Sequence, residues 1–160
     1  MTSKPRGDNS MTVTTQSADW AGVLAHRVVA GVDIEELITR FTACGLTPQD
    51  VNAVLMDGGD ALYQAAVNAE PGWAEQFGGP LAVALLAAEV SAFASHLNTR
   101  ASGVRAVAVD TLLDDLSAVS VARELGVSRQ KVYEIARSGM RGPHLDHVPW
   151  SHHESDRRRS

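Results

Sequence analysis

Residues 118–137 read AVSVARELGVSRQKVYEIAR, two short amphipathic runs joined at Gly126. Ser117 stands just before the first run and Ser128 just before the second. Each is placed as a helix N-cap, with a hydroxyl that accepts a backbone N–H from the first turn. Leu116 and Val127, which precede the two serines, are spaced to staple onto Val121 and Val132. Gly126 falls at the sharp turn between the runs, where a positive φ that side chains resist is expected. Val121, Leu125, Val127, Val132 and Ile135 occupy inward positions and predict a small shared core. Ala122 is small where the two helices must cross, since a larger side chain would force them apart.

In that register the run VARELGVSRQKVYEIA resembles the helix-turn-helix of bacterial regulators and of resolvase/invertase C-terminal domains, the homeodomain-like trihelical group. The resemblance covers residues 118–137, or residues 104–137 if 104–115 supplies the preceding helix. It implies that the second helix enters the major groove of double-stranded DNA with its N-terminal residues toward the bases. Carried over by position, Arg129, Gln130 and Tyr133 would face base edges, and Arg137 and Ser128 the backbone or flanking bases. Arginine can read guanine bidentately and glutamine can read adenine. Lys131, Arg123 and Arg141 would contact phosphates. Glu134, on the same surface, would accept from cytosine or repel wrong approaches. A charged helix face is ordinarily a solvated one, and such units also serve as packing or protein-binding modules. What favours DNA is a second helix opening Arg-Gln-Lys on a chain that is otherwise acidic.

The charge is divided along the chain. The net is −5 over 160 residues. Residues 1–99 carry four basic groups against eleven acidic ones, a net of −7, whereas residues 100–142 carry seven against five, a net of +2. Residues 143–160 have three of each. Only the second segment suits a phosphate backbone.

Outward from the motif the chain reads as helices. At 44% hydrophobic and 5% aromatic, with Ala, Leu and Val supplying most of the apolar content, it favours packed helices over sheets. Trp20, Val23, Leu24 and Val28 recur at helical spacing up to Gly31. Asp33 can cap a helix carrying Ile34, Leu37, Ile38 and Phe41, closed by Gly45. Thr47, Pro48 and Asp50 form a start signal, a cap with proline at the first helical position and an acid three residues on; Val51, Val54 and Leu55 follow on one face. Gly58 and Gly59 break this helix and residues 61–69 resume it. Residues 81–97 are apolar almost all round, as in a helix buried by its neighbours or by a second subunit.

The expected architecture is all-α, an N-terminal helical bundle followed by a C-terminal trihelical helix-turn-helix. Its divisions are a disordered N-terminus (1–17), an acidic helical oligomerisation or partner-binding domain (18–99), the DNA-binding domain (100–140), and a flexible basic, histidine-containing tail (141–160). The expected partners are double-stranded DNA, a second copy of the chain, and a protein partner for residues 18–99. The alternative reading is a DNA-linked adaptor, a partition, phage-packaging or antitoxin-like component whose acidic body binds another protein.

Enzymatic readings are set aside. A serine recombinase needs a catalytic domain with an arginine cluster before such a motif, whereas residues 18–99 hold only Arg27 and Arg40. Gly58-Gly59 and Gly78-Gly79 lack the strand context of a phosphate loop. No cofactor is expected. His144, His147, His152 and His153, with Asp146 and Glu154, could ligate a metal, but Pro143, Pro149 and three terminal arginines mark a solvated tail. Single Cys44 forms no internal disulfide and fits a reducing cytoplasm or a core position. No uninterrupted apolar run of about 18 residues and no apolar stretch in residues 1–17 is present, so neither a membrane span nor a secretory signal is expected.

Overall fold

The computed structural model describes residues 19–149, and among them it is all-α. Two short helices, α1 (Trp20–Val23) and α2 (Ala25–Val29), are followed by α3 (Glu35–Ala43), α4 (Pro48–Met56) and α5 (Asp60–Asn68). A 3₁₀ turn at Glu75–Phe77 leads into the long α6 (Pro80–Asp115), then α7 (Ala118–Leu125) and α8 (Arg129–Ser138).

Local chemistry starts and stops these helices as the sequence implies. Thr47 and Asp50 form a reciprocal capping box on α4, the Thr47 N–H donating to the Asp50 carboxylate at 2.8 Å. The Asp33 carboxylate accepts from Glu35 N–H at 3.0 Å at the start of α3. Ser117 and Ser128 cap α7 and α8, each accepting at 3.1 Å from the N–H three residues on. Each cap satisfies one N–H that the first helical turn leaves without a partner.

Two apolar clusters sit on opposite halves of α6. The first joins Val23, Leu24, Phe41, Val51, Val54, Leu55 and Leu62 to Ala82, Leu86 and Phe93 of α6. Trp20 stacks on Phe41 at its edge, ring centroids 5.6 Å apart. The second joins Ala106 and Val109 of α6 to Ala118, Val121, Ala122, Val132 and Ile135.

Several expectations are corrected. Residues 81–97 and 104–115 belong to one continuous helix, and the boundary expected at 99/100 falls inside α6. The helix expected through Val28 bends at Leu24, and Val28 is 52% exposed. His26 takes the inward place instead, because Glu89 of α6 waits there to bond it. Leu125 is 42% exposed rather than in the motif's core. It lies in the last turn of α7, and Val127, turned back by its N–H bond to Ala122 O (3.0 Å), packs on that core instead. Leu116 is likewise largely exposed.

Residues 141–149 fold back along α6 instead of extending freely. Leu145 and Val148 pack against the first cluster, Leu145 N–H donates to His96 Nε2 at 3.3 Å, and Arg100 donates to Asp146 O at 2.9 Å. Just before this segment, Met140 lies over Gly103, a buried glycine inside α6 where a Cβ would overlap the Met140 sulfur. Residues 1–17, His152, His153, Glu154 and the three terminal arginines lie outside the described residues.

By length and composition α6 is apolar enough to cross a membrane, with mean hydropathy 1.5 over an 18-residue window. Its packing gives that content another use, since both clusters close on it. It also carries Glu89, 1% exposed, which accepts from His26 Nε2 at 2.6 Å and from Arg27 Nε and Nη2, each at 3.0 Å. Burial by itself would raise the Glu89 carboxyl, but the hydrogen bonds from His26 and Arg27 and their charges outweigh it and hold it below its ordinary value.

Candidate nucleic-acid interface

The residues with a proposed role in DNA contact lie on α7, α8 and the chain just after them. Gly126 joins the two helices in the left-handed conformation, φ 65° and ψ 33°, with open space where a Cβ would stand. The constraint there is the backbone angle rather than crowding. Ala122 and Val121 of α7 meet Val132 and Ile135 of α8 in the second cluster. That packing fixes which arc of α8 faces outward.

At about 100° per residue, Arg129, Tyr133, Arg137, Gln130 and Glu134 follow one another around a single outward arc. Val132 and Ile135 lie on the opposite side and are buried. All five outward residues are exposed, Tyr133 by 46%. Ser128, exposed at the head of the helix, uses its hydroxyl as the cap. The sequence-derived set on α8 therefore shares one surface, with Lys131 at its flank.

Side-chain contacts tie part of this surface together. Glu134 accepts from Gln130 Nε2 at 3.2 Å and from Lys131 Nζ at 3.3 Å. On α7 the Arg123 guanidinium pairs with neighbouring Glu124 at 3.2 Å, both groups exposed. Pairs this exposed are worth about 0–1 kcal/mol and release readily to a competing anion. Arg141 donates to Arg137 O at 3.3 Å, which holds it beside the end of α8. Arg129 carries its charge at the first helical position, on the arc's exposed side.

The fold adds Arg105, which sequence reading did not place in the site. Exposed on α6, it lines a shallow groove with Ser102, Lys131, Glu134, Ile135 and Ser138 where α6 meets α8. A second cation thus stands on the same groove as Lys131. Twenty-six positions separate the two in sequence, and no local pattern marks the pairing; only the packing of α8 on α6 reveals it. Among the described residues, no group of three or more His, Cys, Asp or Glu is arranged to hold a metal ion.

Comparison with protein-family models, with curated proteins and with solved structures gives no match.

Proposed function

We propose that this chain is a sequence-specific, dimeric DNA-binding protein, a transcriptional regulator whose α8 is the reading helix. The observation that carries the reading is the outward arc of α8. Arg129, Gln130 and Tyr133 stand in its first turn and a half with their side chains exposed, and Ser128 caps the helix behind them. Arginine and glutamine at the leading end of an exposed helix match the donor and acceptor patterns of guanine and adenine in the major groove. Lys131, Arg105 and Arg123 lie beside the arc and Arg137 on it, and these cations suit phosphates.

The second copy is supported by the free side of α6. Val104 (57% exposed), Val107 (50%) and Leu112 (40%) leave apolar surface open along the C-terminal half of α6. An apolar strip on the outside of the helix that carries the reading unit suits a two-fold pairing, which would set two α8 helices against two half-sites. The strip lies nearer the C-terminal end of α6 than residues 81–97, where Leu86 is 1% exposed and belongs to the protomer's own core.

The test is selection of bound duplexes from a random library by the full chain, followed by binding at several salt concentrations. A palindromic consensus is expected. Arg129→Ala should cost about 1–3 kcal/mol on that site and relax preference at one position. Lys131→Ala should weaken all sequences alike and reduce the salt slope by about one ion. Binding without sequence preference, or Arg129→Ala leaving affinity and preference intact, would overturn the reading and favour an adaptor whose acidic face binds another protein.

A further inference from the structure

Beside the middle of α6 lies a cleft of about 640 Å³, bounded by α2 and the turn after it, by α6 itself, and by residues 141–144. We propose that it is a binding site for a small organic anion, whose acid group is held by Arg141, His144 and His96 and whose apolar body rests on Val29, Val32 and Ala92.

The lining has the character such a ligand needs. It contains Arg27, Arg141 and the imidazoles of His26, His96 and His144, with the hydroxyls of Ser95 and Thr99, and no lining residue is acidic. Three carboxylates adjoin the lining residues, Asp33, Glu89 and Asp146, and Asp33 accepts from Glu35 N–H at 3.0 Å. Glu89 lies behind the wall, bonded to His26 and Arg27. Asp146, exposed, offers its backbone carbonyl to Arg100. Of the two lining arginines, Arg27 is paired with Glu89 and Arg141 bonds a backbone carbonyl, so Arg141 supplies the cleft's positive charge. A volume of this size exceeds what an inorganic ion fills and falls in the range of small-molecule sites.

Unsatisfied polar atoms mark the same place. His26 is 2% exposed, and because an ionised Glu89 only accepts, its Nε2 carries the hydrogen; Nδ1 is buried without a partner. Both ring nitrogens of His144 are buried without a partner. Buried polar atoms ordinarily find partners, so the unpartnered ring N–H of His144 calls for an acceptor in the cleft. Arg141 makes one 3.3 Å bond to a backbone carbonyl, which leaves most of its five donors open.

The wall is preformed. The three imidazoles run in file, His26 to His96 at 6.4 Å and His96 to His144 at 5.8 Å between ring centroids. His96 Nε2 accepts from Leu145 N–H, so its own hydrogen sits on Nδ1. Burial, then the charges of His26, His144 and Arg100, lower the His96 pKa. A bound anion opposes that effect and raises it again.

The experiment uses the full chain, with histidine ring resonances followed by NMR during titration with benzoate, phenyl phosphate, inorganic phosphate, or chloride at matched ionic strength. Benzoate or phenyl phosphate should shift the His96 and His144 rings saturably below about 10 mM, raise the His96 pKa and raise Tm. Comparison of the two distinguishes a carboxylate from a phosphate head. Inorganic phosphate should bind more weakly, and chloride should give no saturable shift. His144→Gln should weaken binding by about tenfold. Ala92→Phe, which fills the cleft and leaves the residues that hold 141–149 in place, should abolish it. Absence of saturation with both organic anions, equal shifts with chloride, or unchanged binding in Ala92→Phe would overturn the site. The readout needs no DNA, so its failure is separable from failure of the DNA-binding reading.

Discussion

Replacing Glu89 by glutamine tests the tie between α2 and α6. The substitution keeps the shape of the side chain but removes its charge and turns one acceptor oxygen into an NH₂ donor. That donor faces either the Arg27 guanidinium, 3.0 Å from the carboxylate, or His26 Nε2 at 2.6 Å, which takes it only by moving its own hydrogen to the buried, unpartnered Nδ1. Hydrogen bonds to a charged group contribute about 1.5–3 kcal/mol each, and breaking a buried pair from one side costs about 3–5 kcal/mol. Arg27 is 25% exposed along its side chain and regains part of that from water, whereas His26, at 1%, regains little. The expected loss is about 3 kcal/mol, a large fraction of a domain's total stability of about 5–15 kcal/mol. Urea unfolding at pH 7 should show it as a lower midpoint with an unchanged slope. The folded-state pKa of Glu89 lies below its ordinary 4.5, so its contribution is present above that value and is lost as pH falls through the lower, folded one. The gap between wild type and Glu89→Gln should therefore narrow on acidification. A loss below about 1 kcal/mol at pH 7, or a gap that does not change with acid, would refute the reasoning. Replacing all three partners by apolar residues (His26→Leu, Arg27→Met, Glu89→Leu) should cost far less than the single change.

Four further outcomes can be checked. Gly126→Val should cost about 1–2 kcal/mol because its φ of 65° is unfavourable to a β-branched residue, while Gly126→Asn should cost less; thermal melts compare them. Ile135→Ala should destabilise by about 2–5 kcal/mol, but Leu125→Ala by under about 1 kcal/mol, since Ile135 is 8% exposed and Leu125 42%. His96 has a depressed pKa, so its contribution to stability is present above its ordinary 6.5 and is lost as pH falls through the folded value. His96→Gln should flatten the pH dependence of Tm in that interval. Glu134→Gln removes the carboxylate that engages Lys131 and Gln130; DNA binding should tighten in filter-binding or anisotropy titrations, and unchanged or weaker binding would place Glu134 away from the phosphates.

The sequence by itself determined what is decided within a turn of helix. Ser117, Ser128 and the Thr47–Asp50 box cap their helices because the hydroxyl or carboxylate and the N–H it serves lie three residues apart. Gly126 takes a positive φ because little else tolerates that turn. From these signals follow an all-α chain and the inward places of Val121, Val132 and Ile135. Burial elsewhere depended on surfaces distant in sequence. Leu125 and Val28 fit an apolar helical pattern, yet no surface arrives to cover them. His26 and Glu89 look like ordinary polar residues until α2 crosses α6 and joins them across 63 positions. Gly103 gives a reason to interrupt α6, but clusters on both of its halves carry the helix through, and the missing side chain makes room for Met140. Arg105 reaches the groove of Lys131, and residues 141–149 close over His96, only because α8 and the chain after it return along the same helix. Local hydrogen bonds are fixed by spacing, but the covering of an apolar or charged side chain depends on which partner the whole chain brings to it.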